Sequence, residues 1–110
     1  MGVVVPLIDP ENYKQVRQRI LKLYHDDLVR ITDSHAWPRM LERDIDITDV
    51  NEILRNGRII NHSKPGNCWR YVLEGYSLGH PRRPLRCVVE INGLLIVVTI
   101  MLRGKGGKWQ

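Results

Sequence analysis

From residue 58 onward the apolar residues change their spacing, and that change restricts the fold more than any other feature. Before it they recur every three or four positions, as one face of a helix requires. After it they alternate, as a strand requires. "ENYKQVRQRILKLYHDD" puts Tyr13, Val16, Ile20, Leu23 and Tyr24 on one stripe and predicts a helix over 11–25. "LVRIT" at 28–32 reads as a short strand or an extended connection. Ser34 as an N-cap and Pro38 in the first turn predict a short helix over 35–44. A third helix runs from about Thr48, a plausible cap, to Asn56, with Gly57 as its C′ residue. "RIINHSK" (58–64), "CWRYVLEGY" (68–76), "LRCVVEI" (85–91) and "LLIVVTIML" (94–102) then read as four strands, with turn signals at "PGN" and "NG". The expected fold is α+β: two to three N-terminal helices on one face of a four-stranded, mainly antiparallel sheet. Residues 1–103 form the single domain, and 104–110 a flexible basic tail.

Seventeen Lys and Arg against twelve Asp and Glu give a formal net charge of +5, which favours an anionic partner, nucleic acid before acidic protein. Cys68 and Cys87 are the only cysteines and lack a close-spaced partner, so two free thiols in a reducing compartment are expected. The opening "MGVVVPLI" lacks the pattern of a signal peptide. The longest apolar run, 94–102, is far short of the roughly 20 residues of a spanning helix. A soluble cytoplasmic protein with no membrane contact is expected. The four histidines are scattered without ligand-like spacing, and no metal or other cofactor is expected.

If Trp69, Tyr71 and Leu73, then Leu85, Cys87, Val89 and Ile91, then Leu94, Ile96, Val98, Ile100 and Leu102 face the helices, their alternates form the other sheet face. That face would carry Arg70, Arg86, Thr99 and Arg103, with His62 and Lys64 joining from the first strand. Such an arginine-lined surface suits a phosphodiester. On the second helix, Ala36, Trp37, Met40 and Leu41 make the apolar side, and His35, Arg39, Glu42 and Arg43 the opposite one. His80, Arg82 and Arg83 in the loop "SLGHPRRP" offer an electrostatic contact for RNA, or a merely solvated loop.

His35-Ala36, Arg39-Met40, Arg43, Ile45, Asp49-Val50, Leu54, Gly57 and Ile59 resemble the H-A-x-x-R-M-x-x-R … D-V … L-x-x-G pattern of the family called "domain of unknown function 4258". The resemblance spans about residues 28–103. That family is similar in fold to the barnase–EndoU–colicin–RelE group of ribonuclease toxins. The C-terminal half, "CWRYVLEGY…LRCVVEINGLLIVVTIM", also resembles motility quorum-sensing regulator type mRNA interferases. The resemblance implies metal-independent RNA cleavage restrained by an antitoxin or immunity protein. The extra N-terminal helix and the long basic loop depart from the pattern.

Cleavage of that kind needs an activated 2′-oxygen, a proton for the 5′-oxygen and cations against the phosphorane. The resemblance makes Arg70 the first candidate, beside Trp69, with a surface arginine as its plainer reading. His35 is a candidate base or acid, or else a side chain that fixes the helix; Arg39 binds phosphate, or pairs with Glu42 or Asp46. Lys64 is a phosphate contact or proton donor, or a solvated hairpin lysine. His62 is an alternative base and RNA contact, with Arg82, Arg83, Arg86 and Arg103 as further RNA contacts. Glu74 and Glu90 are general bases or ion-pair partners of the arginines. A non-catalytic RNA-binding module and an effector acting through protein contact are the competing functions.

Overall fold

The computed structural model describes residues 9–78, 82–103 and 107–109. Its elements run α1 (Tyr13–His25), β1 (Val29–Ile31), α2 (Ala36–Glu42), α3 (Ile47–Asn56), β2 (Arg58–Ser63), β3 (Arg70–Tyr76), β4 (Pro84–Ile91) and β5 (Leu95–Leu102). The α+β class and the three helices are as expected. The sheet has five strands rather than four, in the order β1-β5-β4-β3-β2, and it is mixed. The residues left open between strand and connection form β1, which pairs parallel to β5 from Val29–Leu95 to Ile31–Val97. Three residues are too few for alternation to announce a strand.

One core joins all three helices to one sheet face. Val16, Ile20 and Leu23 of α1, Ala36 and Met40 of α2, and Val50, Ile53 and Leu54 of α3 are buried with Tyr71, Leu73, Leu85, Cys87, Val89, Leu95, Val97, Ile100 and Leu102. Each fully buried aliphatic side chain of this kind contributes about 1.5–3 kcal/mol.

The β5 facing differs from strict alternation. Val88 pairs with Thr99 but Val89 pairs with Val97, so Val98 is an extra, bulged residue. Leu95 and Val97 therefore point inward before the bulge, and Ile100 and Leu102 after it. Leu94, Ile96 and Val98 were expected inward and are not buried. An apolar run on both faces hides such a shift.

Three helix ends also depart from expectation. The α2 cap position is His35, not Ser34, and its side chain makes no capping bond. Instead Thr32 Oγ1 accepts from the Ala36 N–H at 3.1 Å. Asp46, not Thr48, caps α3: it accepts from Thr48 and Asp49 N–H, while Asp49 accepts from Asp46 N–H, a reciprocal capping box. Gly57 ends α3 in an extended conformation, φ −66° and ψ 150°, not a left-handed one. Glycine is needed there for space, because a Cβ would stand 2.5 Å from the Ile53 carbonyl oxygen.

β1 is short, so β5 has an unpaired edge beyond Val97, and the segment around α2 closes it. Thr32 N–H donates to Val97 O at 3.1 Å, Thr32 Oγ1 to Val98 O at 3.1 Å, and Arg43 Nη1 to Ile100 O at 3.0 Å. Because α2 runs along this edge, only its Ala36 and Met40 line reaches the core. Trp37 stays 39% exposed and Leu41 81%, contrary to the apolar side expected of them.

The candidate nucleic-acid interface

With all three helices on one side, no helix among the described residues covers the other sheet face. Its register places side chains in three rows. One crosses Arg30, Ile96, Glu90, Arg70 and Ser63. The middle row is Thr99, Val88, Val72 and Asn61, and the third is Met101, Arg86, Glu74 and Arg58. An uncharged row, with the half-buried Val88 and Val72 at its middle, thus lies between two charged rows. Four residues along β3 separate Arg70 from Glu74, about 13 Å at strand rise.

The charged rows are cross-strand ion pairs. Arg70 Nε donates to Glu90 Oε2 at 2.9 Å, and Arg86 Nε to Glu74 Oε2 at 3.0 Å. Arg58 Nη2 donates to the other Glu74 oxygen at 3.2 Å. The Arg86 hydrogen bond, with that of Arg58, holds the Glu74 carboxyl below its ordinary range against a desolvation effect that would raise it. Both Arg70 and Arg86 use Nε for their glutamate. Among the described residues, nothing bonds their terminal nitrogens, so one guanidinium edge of each remains for a phosphate fork. The glutamates orient these arginines more than they cancel them, since Arg30 and Arg103 add charge to the same face.

The other expected site residues are dispersed. His62 and Lys64 do not join this face. A register shift between Ile59 and Asn61 leaves His62 opposite the buried Tyr71, on the helix side. There Tyr13 Oη and His62 Nδ1 lie 2.7 Å apart, the imidazole sits 5.6 Å from the Trp69 ring, and Lys64 Nζ lies 5.5 Å from the same ring. His35 and Arg39 are exposed on α2, which packs on β5, two strands from Arg70 or about 10 Å. Arg39 makes no ion pair with Glu42 or Asp46 among the described residues; Asp46 is engaged in capping α3.

Arg82 and Arg83 are exposed at the loop end. Arg82 Nε donates to Ser77 O at 3.3 Å and its guanidinium lies 5.7 Å from the Tyr76 ring, while Arg83 N–H donates to Ser77 Oγ at 3.0 Å. His80 lies outside the described residues. Arg103 bridges to Trp109, whose ring stands 4.1 Å from the Arg86 guanidinium.

Arg30, Arg58 and Trp109 were missed. The first two lie on strand positions whose facing depends on pairing, and Trp109 on a segment with no periodic signal. Cys68 and Cys87 are free, and desolvation pushes the buried Cys87 thiol up to about 12. Among the described residues no three His, Cys, Asp or Glu side chains gather as a metal site, and no helix is long and apolar enough to cross a membrane.

The motif residues acquire physical roles in this frame. Ala36 and Met40 are core, and Arg43 closes the β5 edge. Asp49, 6% exposed, accepts from Asp46 N–H and, through Oδ1, from Leu78 N–H at 2.8 Å, tying α3 to the loop after β3. No curated protein and no solved structure matches the chain. One family model does, over residues 33–102, the stretch that contains these positions, and the chain belongs to that family, described as "Domain of unknown function (DUF4258)".

Proposed function

We propose that the open sheet face binds RNA and cleaves it without a metal, with the Arg70–Glu90 pair at its centre. The observation that carries this reading is the pair itself: a guanidinium fixed through Nε, its outer edge unbonded among the described residues, beside a carboxylate on the face opposite the helices. Glu90 takes the proton from the 2′-hydroxyl, and the 2′-oxygen attacks phosphorus. The bond from phosphorus to the 5′-oxygen breaks, that oxygen takes a proton from solvent, and a 2′,3′-cyclic phosphate remains. Arg70 stabilises the phosphorane charge through its terminal nitrogens. An antitoxin or immunity protein that restrains the activity would present carboxylates to the same arginines.

A second reading is a non-catalytic RNA-binding module. It is favoured by one observation: among the described residues no imidazole lies on this face to serve as general acid. Incubating purified protein with RNA in excess EDTA separates the two. Cleavage should persist and leave 2′,3′-cyclic or 3′-phosphate ends. Arg70→Ala should slow it by about 10²–10³ and Glu90→Gln by at least about 10², while Glu90→Gln binds RNA no more weakly. His35→Ala should stay within about twofold of the parent, since His35 stands apart from the pair. Binding without cleavage establishes the second reading, and neither binding nor cleavage ends both.

A further inference from the structure

At the far end of the open face, Gly107 and Trp109 line a cleft of about 360 Å³ together with residues of β3 and β4. Its walls include Tyr76, Trp109, Arg86, Arg103 and one carboxylate, Glu74. Gly107 has φ +81°, a conformation suited to glycine, and a Cβ there would stand 3.1 Å from Arg103 Nη2. Trp109 pairs with Arg103 and lays its ring against Arg86.

We infer that this cleft is a guanine subsite of the RNA-binding face, an inference that rests on that face binding RNA. Its volume lies within the range of small-molecule pockets. Two aromatic rings offer planes on which a base can stack, and stacking alone does not choose among bases. Choice comes from Glu74. Among the described residues each of its oxygens accepts one arginine N–H, and a carboxylate has about four acceptor sites, so each oxygen has capacity for one more. Two adjacent acceptors match the N1–H and N2–H donors of guanine. Adenine and cytosine offer one amino group on that edge, and uracil one imino group. The Arg86 and Arg103 donors suit guanine O6 and N7 or the attached phosphate.

The test uses the full chain and titrates 5′-GMP, 5′-AMP, 5′-CMP and 5′-UMP, alongside a uridine hexamer that reports on the face as a whole. GMP should bind at least about tenfold more tightly than the other three, the effect of about one to two additional hydrogen bonds. Trp109→Ala should weaken GMP about tenfold or more, Trp109→Phe should largely restore it, and Glu74→Gln should erase the preference for guanine while circular dichroism shows an unchanged fold. If the hexamer binds but the four nucleotides do not differ, the subsite fails and the RNA-binding reading stands. If Trp109→Ala tightens binding, the segment obstructs the face instead of completing a subsite, and the inference is overturned. If no RNA binds at all, the reading and the subsite fall together.

Discussion

At the scale of single residues, charge on the sheet face is organised by glutamates, and Glu74 serves two arginines at once. A carboxylate that accepts from Arg86 and Arg58 is stabilised in its ionised form, so its proton affinity is lower folded than unfolded. The linked stability is present above the ordinary Glu value of 4.5 and is lost as pH falls through the lower folded value. Glu74→Gln should therefore be less stable than the parent at pH 7, by no more than about 1 kcal/mol because the pair is part-exposed. The gap should close as pH drops below about 4.5, and denaturant midpoints of both proteins between pH 3 and 7 measure it. A gap independent of pH would mean that Glu74 contributes through packing. Its counterpart Glu90, with a single arginine, is the carboxylate left with more acceptor capacity, consistent with its assignment as the base.

At the scale of elements, the decisive structure is the β5 edge. β1 covers it only to Val97, and two side chains serve the carbonyls beyond: Thr32 on Val98 and Arg43 on Ile100. Thr32 also receives the Ala36 N–H, so one hydroxyl both closes the sheet edge and starts α2. Thr32→Val keeps the shape but removes both bonds, and should cost about 2 kcal/mol in a urea titration at unchanged slope. A cost near zero would show that water replaces the hydroxyl at this edge. The same edge explains how far the sequence was readable. Long periodic segments, α1 and β2 to β5, were legible because burial repeats along them. The facing of β5 and of His62 was not, because each depends on one bulge that local spacing does not encode. β1 and the role of Arg43 were hidden for a related reason: each acquires meaning only beside β5, more than fifty residues away in the chain. Of the candidate site, Arg70, Arg86 and Arg103 were legible as alternates of buried positions; Lys64 was grouped with them by alternation along the first strand, which the irregularity between Ile59 and Asn61 reverses, and His35 and Arg39 through the family pattern.

At the scale of the molecule, the sheet face opposite the helices carries more arginines than carboxylates. The open face sets Arg30, Arg58, Arg70, Arg86 and Arg103 against Glu74 and Glu90, within a chain whose formal net charge is +5. Three spare positive charges should neutralise about three phosphates of a single strand, each contributing about −0.7 to the slope of log affinity against log salt. RNA binding should then weaken with a slope near −2. Between 50 and 200 mM salt that is a loss of roughly twentyfold. Arg30→Ala is the discriminating variant, because Arg30 lies at the β1 edge beside Ile96 and makes no ion pair with a carboxylate among the described residues. It should reduce the slope by about 0.7 and leave the fold intact. Arg58→Ala, by contrast, frees a glutamate oxygen as it removes a cation. A titration by fluorescence anisotropy at four salt concentrations reads both. Slopes that are equal in the parent and in Arg30→Ala would move the phosphate path off this row of the sheet, and a parent slope near zero would remove the electrostatic basis for an RNA partner altogether.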